Sequence, residues 1–201
     1  MEKKKFFSAK NVATLGVLLA LTIVLQLFAS SITIGPVSLN FALIPIVLAA
    51  VVLGPWEGMF MGLACGVVVL FQVIFPAGPA AAFYTAIWTN DPVVTAITCL
   101  VKTTAAGLLA GFLFRWIEKK NRYVAVFVAS GIVPIVNTGL FILGCLGMVN
   151  SVYAMAGGEN VLVFILVGLV TFNFFIEFGI NLIVAPGIHT VYKVVEKKFS
   201  K

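Results

Sequence analysis

The run "VATLGVLLALTIVLQLFA", residues 12–29, is apolar on every face over a length that suits a membrane better than a soluble core. Crossing about 30 Å of hydrocarbon takes roughly 20 helical residues at about 1.5 Å each. A spanning β-strand instead alternates apolar and polar residues over about ten positions, and this run does not alternate. Similar stretches fill the rest of the chain. Hydrophobic residues make up 62% of its 201 residues and charged residues 10%, against about 25% charged in soluble domains. The sequence therefore predicts an all-α integral membrane protein, a single membrane domain over 1–201. The start "MEKKKFFSAK" has the basic character of a signal peptide, but no A-x-A cleavage site follows the apolar run. It reads as a retained first span.

Spans are expected at about 11–30, 38–54, 55–75, 92–115, 122–148 and 160–192, bounded by charges and turn residues. The thirteen Lys and Arg residues test this division. Lys3, Lys4, Lys5 and Lys10 precede the first span; Arg115, Lys119, Lys120 and Arg122 fill the middle loop; Lys193, Lys197, Lys198 and Lys201 end the chain. Cytoplasmic ends collect Lys and Arg, so an even number of spans must separate each pair of clusters. Four spans then two satisfy that rule and place both termini in the cytoplasm, in a plasma membrane of bacterial type. Residues 38–54 are the least regular stretch, with Pro45 inside and Gly54-Pro55 at the end. One long kinked helix is the other reading there, at the cost of an odd count.

Only Lys102 stands outside the clusters, in "TAITCLVKTTAAGLLAG", residues 95–111. Counted from Pro92 it lies ten residues into its span, about 15 Å deep. Asn137 and Asn173 reach a similar depth, each thirteen residues from the outer end of its span, at Asn150 and Asn160. Thr95, Thr98 and Lys102 share one helix face, as do Asn173, Glu177 and Asn181. Ionisable groups at membrane depth face a bundle interior or a cavity, so these stripes predict a central polar pocket that opens outward. Lys102 paired with Glu177 as a packing ion pair is the competing reading. Asn137, close to Pro134, has another as well: it could satisfy a carbonyl freed by the proline.

Other chemistries find little support. Cys65, Cys99 and Cys145 lie in apolar segments without C-x-x-C spacing, which argues against a disulfide framework or a zinc site. The formal charge of +6 gathers at span ends instead of forming a patch for nucleic acid. H-E-x-x-H, G-x-S-x-G and the Walker motif G-x-x-x-x-G-K-[ST] do not occur, and the single histidine, His189, sits at a predicted cytoplasmic helix end. No enzyme activity and no cofactor of this chain are expected. The outer segment "FPAGPAAAFYTAIWTNDP", with Phe83, Tyr84 and Trp88, is long and apolar for a loop and reads as a lid or binding loop. Gly16-x-x-x-Ala20 and Gly107-x-x-x-Gly111 allow close helix approach. The second pair is expected to pack internally; the first lies on a span without a polar stripe and is free to meet a partner.

The segment "LNFALIPIVLAAVVLGPWEGMFMGLACGVV", the aromatic outer loop after it, "GLLAGFLFRWIEKK" and the closing "FNFFIEFGINLIVAPGI" carry a family resemblance. Together with six short spans and a basic start, they resemble the substrate-binding S components of energy-coupling factor (ECF) vitamin transporters, over almost the whole chain. The resemblance implies binding and translocation of a water-soluble vitamin or related micronutrient. It also implies docking onto a membrane coupling subunit driven by two ATPase subunits, which use the ATP. The family's A-x-x-x-A docking motif aligns with Gly16-x-x-x-Ala20, with glycine replacing the first alanine. For the substrate, Lys102 suits a carboxylate or phosphate, Thr98, Asn137, Asn173 and Glu177 add polar contacts, and Tyr84 or Trp88 supplies an aromatic cover. Pantothenate fits this set best, and riboflavin is second. A stand-alone proton-coupled carrier using Lys102 and Glu177 is the alternative.

Overall fold

In the computed structural model, which describes residues 9–199, the chain is helical apart from one short hairpin. Lys3, Lys4, Lys5 and Lys201 of the expected basic clusters lie outside the described residues, as do the side chains of Lys10 and Lys198. The order is α1 (Ala9–Ala29), β1 (Thr33–Ile34), β2 (Val37–Ser38), α2 (Leu43–Val52), α3 (Pro55–Ile74), α4 (Ala81–Asn90), α5 (Pro92–Ile117), α6 (Arg122–Gly147) and α7 (Val152–Met155). A last helix follows as α8 (Val161–Val163), a π-helical stretch (Phe164–Val170) and α9 (Thr171–Phe199). Among the described residues, five segments are long and apolar enough to cross a membrane: Asn11–Ala29, Pro55–Ile74, Pro92–Ile117, Arg122–Gly147 and Val161–Lys197. The protein is a multi-pass membrane protein.

The expected second span departs most from its sequence reading. Residues 33–38 form an antiparallel hairpin, with Thr33 opposite Ser38 and Ile34 opposite Val37. Gly35 turns it at φ +70, the positive φ that a two-residue II′ turn needs at its first central position. Pro36 follows, with φ already near −65°. Helix starts only at Leu43, so α2 has 10 residues and a length of about 15 Å, half a bilayer. Pro45 is its third residue and marks the helix start instead of a kink, because the first N–H groups of a helix have no intrahelical partner to lose. Leu43, Ile46, Val47, Ala49 and Ala50 are fully buried. This short helix runs through the protein's interior.

Between α2 and α3, Gly54 adopts φ +144, ψ −178. Proline drives the residue before it to extended ψ, and at this φ that corner is open to glycine alone. A Cβ at Gly54 would also strike the guanidinium of Arg115, whose Nη2 donates to Leu53 O at 3.3 Å. The end of α2 and the start of α3 therefore lie beside the end of α5.

Helices α3 and α5 pack antiparallel through small residues. Gly58 meets Gly107, Gly62 meets Thr103, Gly66 meets Cys99, and Gly111 meets Pro55, each pair so close that a Cβ on the glycine would collide with the facing backbone. The repeat Gly58-x-x-x-Gly62-x-x-x-Gly66 keeps all three on one face. Gly107-x-x-x-Gly111 is thus an internal contact, as expected. Helix α1 runs parallel to α3, since Gln26 Nε2 donates to Gln72 Oε1 at 3.0 Å near the end of both. At the other extreme, Arg122 Nη1 reaches Glu196 at 2.7 Å and Tyr192 donates to Glu118 at 3.1 Å. The starts of α1, α3 and α6 and the ends of α5 and α9 accordingly share one end of the bundle.

The expected outer loop over 75–92 is mostly helix. Phe83, Tyr84 and Ile87 of α4 are buried, and Thr95 Oγ1 donates to Ile87 O at 3.0 Å.

Candidate functional site

Between α5, α6, α9 and the hairpin lies a polar cavity of about 40 Å³. Lys102 enters it from α5; Asn137, Thr138 and Phe141 come from α6, at helical spacings of one, three and four. Leu169 and Val170 from the π-helical stretch and Asn173, Phe174 and Glu177 from α9 form the opposite wall, and Val37, Ser38 and Asn40 close it from the hairpin side. Four of the expected site residues, Lys102, Asn137, Asn173 and Glu177, are thus brought into one cavity.

The competing pairing of Lys102 with Glu177 does not occur as a direct contact: among the described residues Arg122–Glu196 is the only ion pair within 4.0 Å. Lys102 Nζ instead lies 4.8 Å from the centroid of the Phe141 ring, close enough for a cation–π attraction. Glu177 Oε1 accepts from the backbone N–H of Asn40 at 2.8 Å. Asn173 Nδ2 donates to Val37 O at 3.2 Å and to Leu169 O at 3.4 Å. The last helix therefore holds the hairpin at Val37 and the segment after it at Asn40. Asn40, Asn137 and Asn173 are 7%, 5% and 7% exposed, yet the Oδ1 of each has no hydrogen-bond partner. Asn137 makes no bond to a carbonyl near Pro134. Buried polar atoms are nearly always paired; among the described residues Gln26, Ser130 and Asn181 also carry such atoms, away from the cavity.

Other expected residues sit elsewhere. Thr98 returns its hydroxyl to Val94 O at 2.7 Å and packs against Gly144, outside the cavity. Tyr84 is buried beside Ser38, one layer behind the wall, while Trp88 packs on the core from α4. Neither covers the cavity directly. His189 stacks edge-on against Tyr123, 5.2 Å between centroids, and takes no part. Gly16 and Ala20 lie exposed on α1, and a Cβ on Gly16 would meet nothing within 4 Å.

Val37, Ser38 and Asn40 also line the cavity, at and just before the start of a stretch whose apolar run reads as a span. Asn40, a lone amide at the head of an apolar run, was the available signal. Phe141 was missed too, although its spacing of four from Asn137 places it on the same face.

The fold is a multi-pass helical bundle with a small cavity lined in part by polar side chains. The family model described as "ECF transporter, substrate-specific component" matches residues 10–189, and the chain belongs to that family. Its role is therefore in transport, in uptake of a vitamin-type substrate through an ECF system. No curated protein matches the chain.

Proposed function

We propose that the protein is an S component that binds a water-soluble vitamin or related micronutrient with Lys102, Asn137, Asn173 and Glu177. Pantothenate is the first choice, since its carboxylate, two hydroxyls and amide match a cation surrounded by amide oxygens; riboflavin is second. The observation that carries this reading is the convergence of one ammonium group and three orphaned buried acceptors on one cavity, in a chain of this family. Six passages are inferred, the second made by the hairpin, residues 39–42 and α2 together, with both termini cytoplasmic. Support for that comes from the basic residues Arg115, Lys119, Lys120, Arg122, Lys193 and Lys197 at one end of the bundle, the pattern of cytoplasmic faces. Gly16 and Ala20 are assigned to docking on a membrane coupling subunit, and ATP hydrolysis to two partner ATPases. Membership of the family weighs against the stand-alone proton-coupled carrier.

The test is mass spectrometry of small molecules that co-purify with the protein, followed by titration of the identified compound. About one vitamin-sized ligand per chain is expected. If the ligand is anionic, Lys102→Ala weakens binding by at least ~1.5 kcal/mol, the scale of a charge-assisted hydrogen bond. Uptake into liposomes by this chain alone, driven by a pH gradient without ATP, would sink the proposal in favour of the carrier.

A further inference from the structure

A second concavity lies between α6 and α9, with a volume of about 450 Å³. Tyr123, Phe127, Gly131 and Ile135 run along its α6 side at spacings of four, one ridge of that helix. Phe178 and Leu182, again four apart, form the α9 side. Gly131 keeps the floor open, since a Cβ there would already stand 3.3 Å from the Phe178 ring. From Tyr123 to Ile135 the groove is about 18 Å long, roughly the depth of one leaflet of a bilayer whose hydrocarbon is about 30 Å thick. No lining residue is charged, and only Tyr123 carries a polar side-chain atom. The Tyr123 end is bordered differently. His189 stacks edge-on against Tyr123 at 5.2 Å, and Lys193 follows one turn later, on the α9 face that Leu182 and His189 share. Arg122 stands just before Tyr123, and Lys119 and Lys120 lie in the turn that leads into α6, all of them exposed. Of these cations, Arg122 alone has an acidic partner within 4.0 Å among the described residues.

We infer that this groove binds an anionic phospholipid, with one acyl chain along α6 and the phosphate at the end marked by Arg122, His189 and Lys193. The apolar lining suits the chain, and a polar solute would find no partner along it. A length of one leaflet, starting at the basic end, suits a molecule held at head-group level. Charge decides the head group. Phosphate oxygens accept from ammonium and guanidinium groups, and basic pockets between spans at a cytoplasmic face hold anionic head groups. Arg122 keeps N–H donors beyond the one it gives to Glu196. A zwitterionic head group would bring its own cation among these basic side chains. The groove shares no lining residue with the polar cavity, so the lipid site does not depend on which solute that cavity takes.

The experiment is native mass spectrometry of the full chain, released from nanodiscs that hold equal amounts of phosphatidylglycerol and phosphatidylcholine with matched acyl chains. One phosphatidylglycerol per chain is expected to stay bound, retained at least about tenfold over phosphatidylcholine. Arg122→Gln combined with Lys193→Gln, both on exposed side chains, should remove that preference. Ile135→Trp fills the far end of the groove and should reduce retention of both lipids. Melting of this variant shows whether it folds, and if it does not, the charge variant decides alone. Equal retention of the two lipids by wild type overturns the inference, as does an unchanged preference in the charge variant or undiminished lipid on a folded Ile135→Trp. A lipid-free dimer also overturns it, since a second copy of the chain would then cover the groove.

Discussion

Asp91 sits where α4 ends and α5 begins, outside the spanning segments, and its carboxylate gathers four donors. Ser151 donates through its N–H at 2.8 Å and its hydroxyl at 2.6 Å; Asn150 donates through its side-chain amide at 2.9 Å and its N–H at 3.4 Å. Burial opposes the charge, but these bonds outweigh it and hold the carboxyl below its ordinary range. A depressed folded-state pKa means the stabilisation is complete above the unfolded value of about 4 and fades as pH falls through the lower folded value. The Asp91 contribution to melting temperature should therefore be flat from pH 7 to 5 and decline below about pH 4. Asp91→Asn should lose that acid-side decline, and a decline of equal size in the variant would place its origin elsewhere. At Gly62 the deciding factor is space. Its missing Cβ lets the Thr103 backbone close in, so Gly62→Leu should force α3 from α5 and destabilise the protein by ~3 kcal/mol or more, read as melting in detergent.

Among the elements, the hairpin is the lightest wall of the cavity. About 40 Å³ is free there, small beside the roughly 300 Å³ or more of ligand pockets. Helix α5 is locked to α3 by close backbone contact, whereas the hairpin has two residues per strand and is held to the last helix by Asn173–Val37, with Asn40–Glu177 two residues beyond it. The π-helical stretch beneath it is a local weakening of that helix, and Gly35 rests against Gly168 O there. A side chain at Gly35 would face both φ +70 and that oxygen, with its Cβ 3.0 Å away. Gly35→Val should lift the hairpin and speed ligand dissociation by about tenfold or more, consistent with ~1–3 kcal/mol of backbone strain. Release of radiolabelled ligand measures this, and an unaltered rate would remove the hairpin from the gate.

For the whole molecule, the question is which face meets other proteins. Helix α1 buries Leu15, Leu18, Thr22 and Gln26 against the bundle and turns Gly16, Val17, Ala20 and Val24 outward. Among the described residues, nothing fills the space at Gly16. Small residues let helices approach closely in lipid, where association depends on packing. Gly16→Leu should abolish co-purification with the coupling subunit and leave ligand affinity unchanged. A variant that still assembles would move the docking surface to another helix.

Several features could be read before any coordinates were seen. The apolar runs establish a membrane protein and the ends of its long spans, because hydrocarbon tolerates little else. Lys102 could be singled out because topology explains the other basic residues; its company with Asn137 and Asn173 followed from counting depth along three helices, and Glu177 shares the helix face of Asn173. The shortness of α2 could not be seen this way. "LNFALIPIVLAAVVLG" is as apolar as a span, and only packing decides that its first four residues stay outside the helix, after the hairpin, while the rest becomes a short buried helix. Nor could sequence decide whether Lys102 faces a pocket or pairs with Glu177. Helical spacing fixes face and depth, but whether an ammonium group reaches a carboxylate on another helix depends on rotation and separation between helices. Those are set by the glycine contacts of α3 with α5 and by the hairpin bonds to α9, and through them Glu177 meets a backbone N–H and Lys102 meets Phe141.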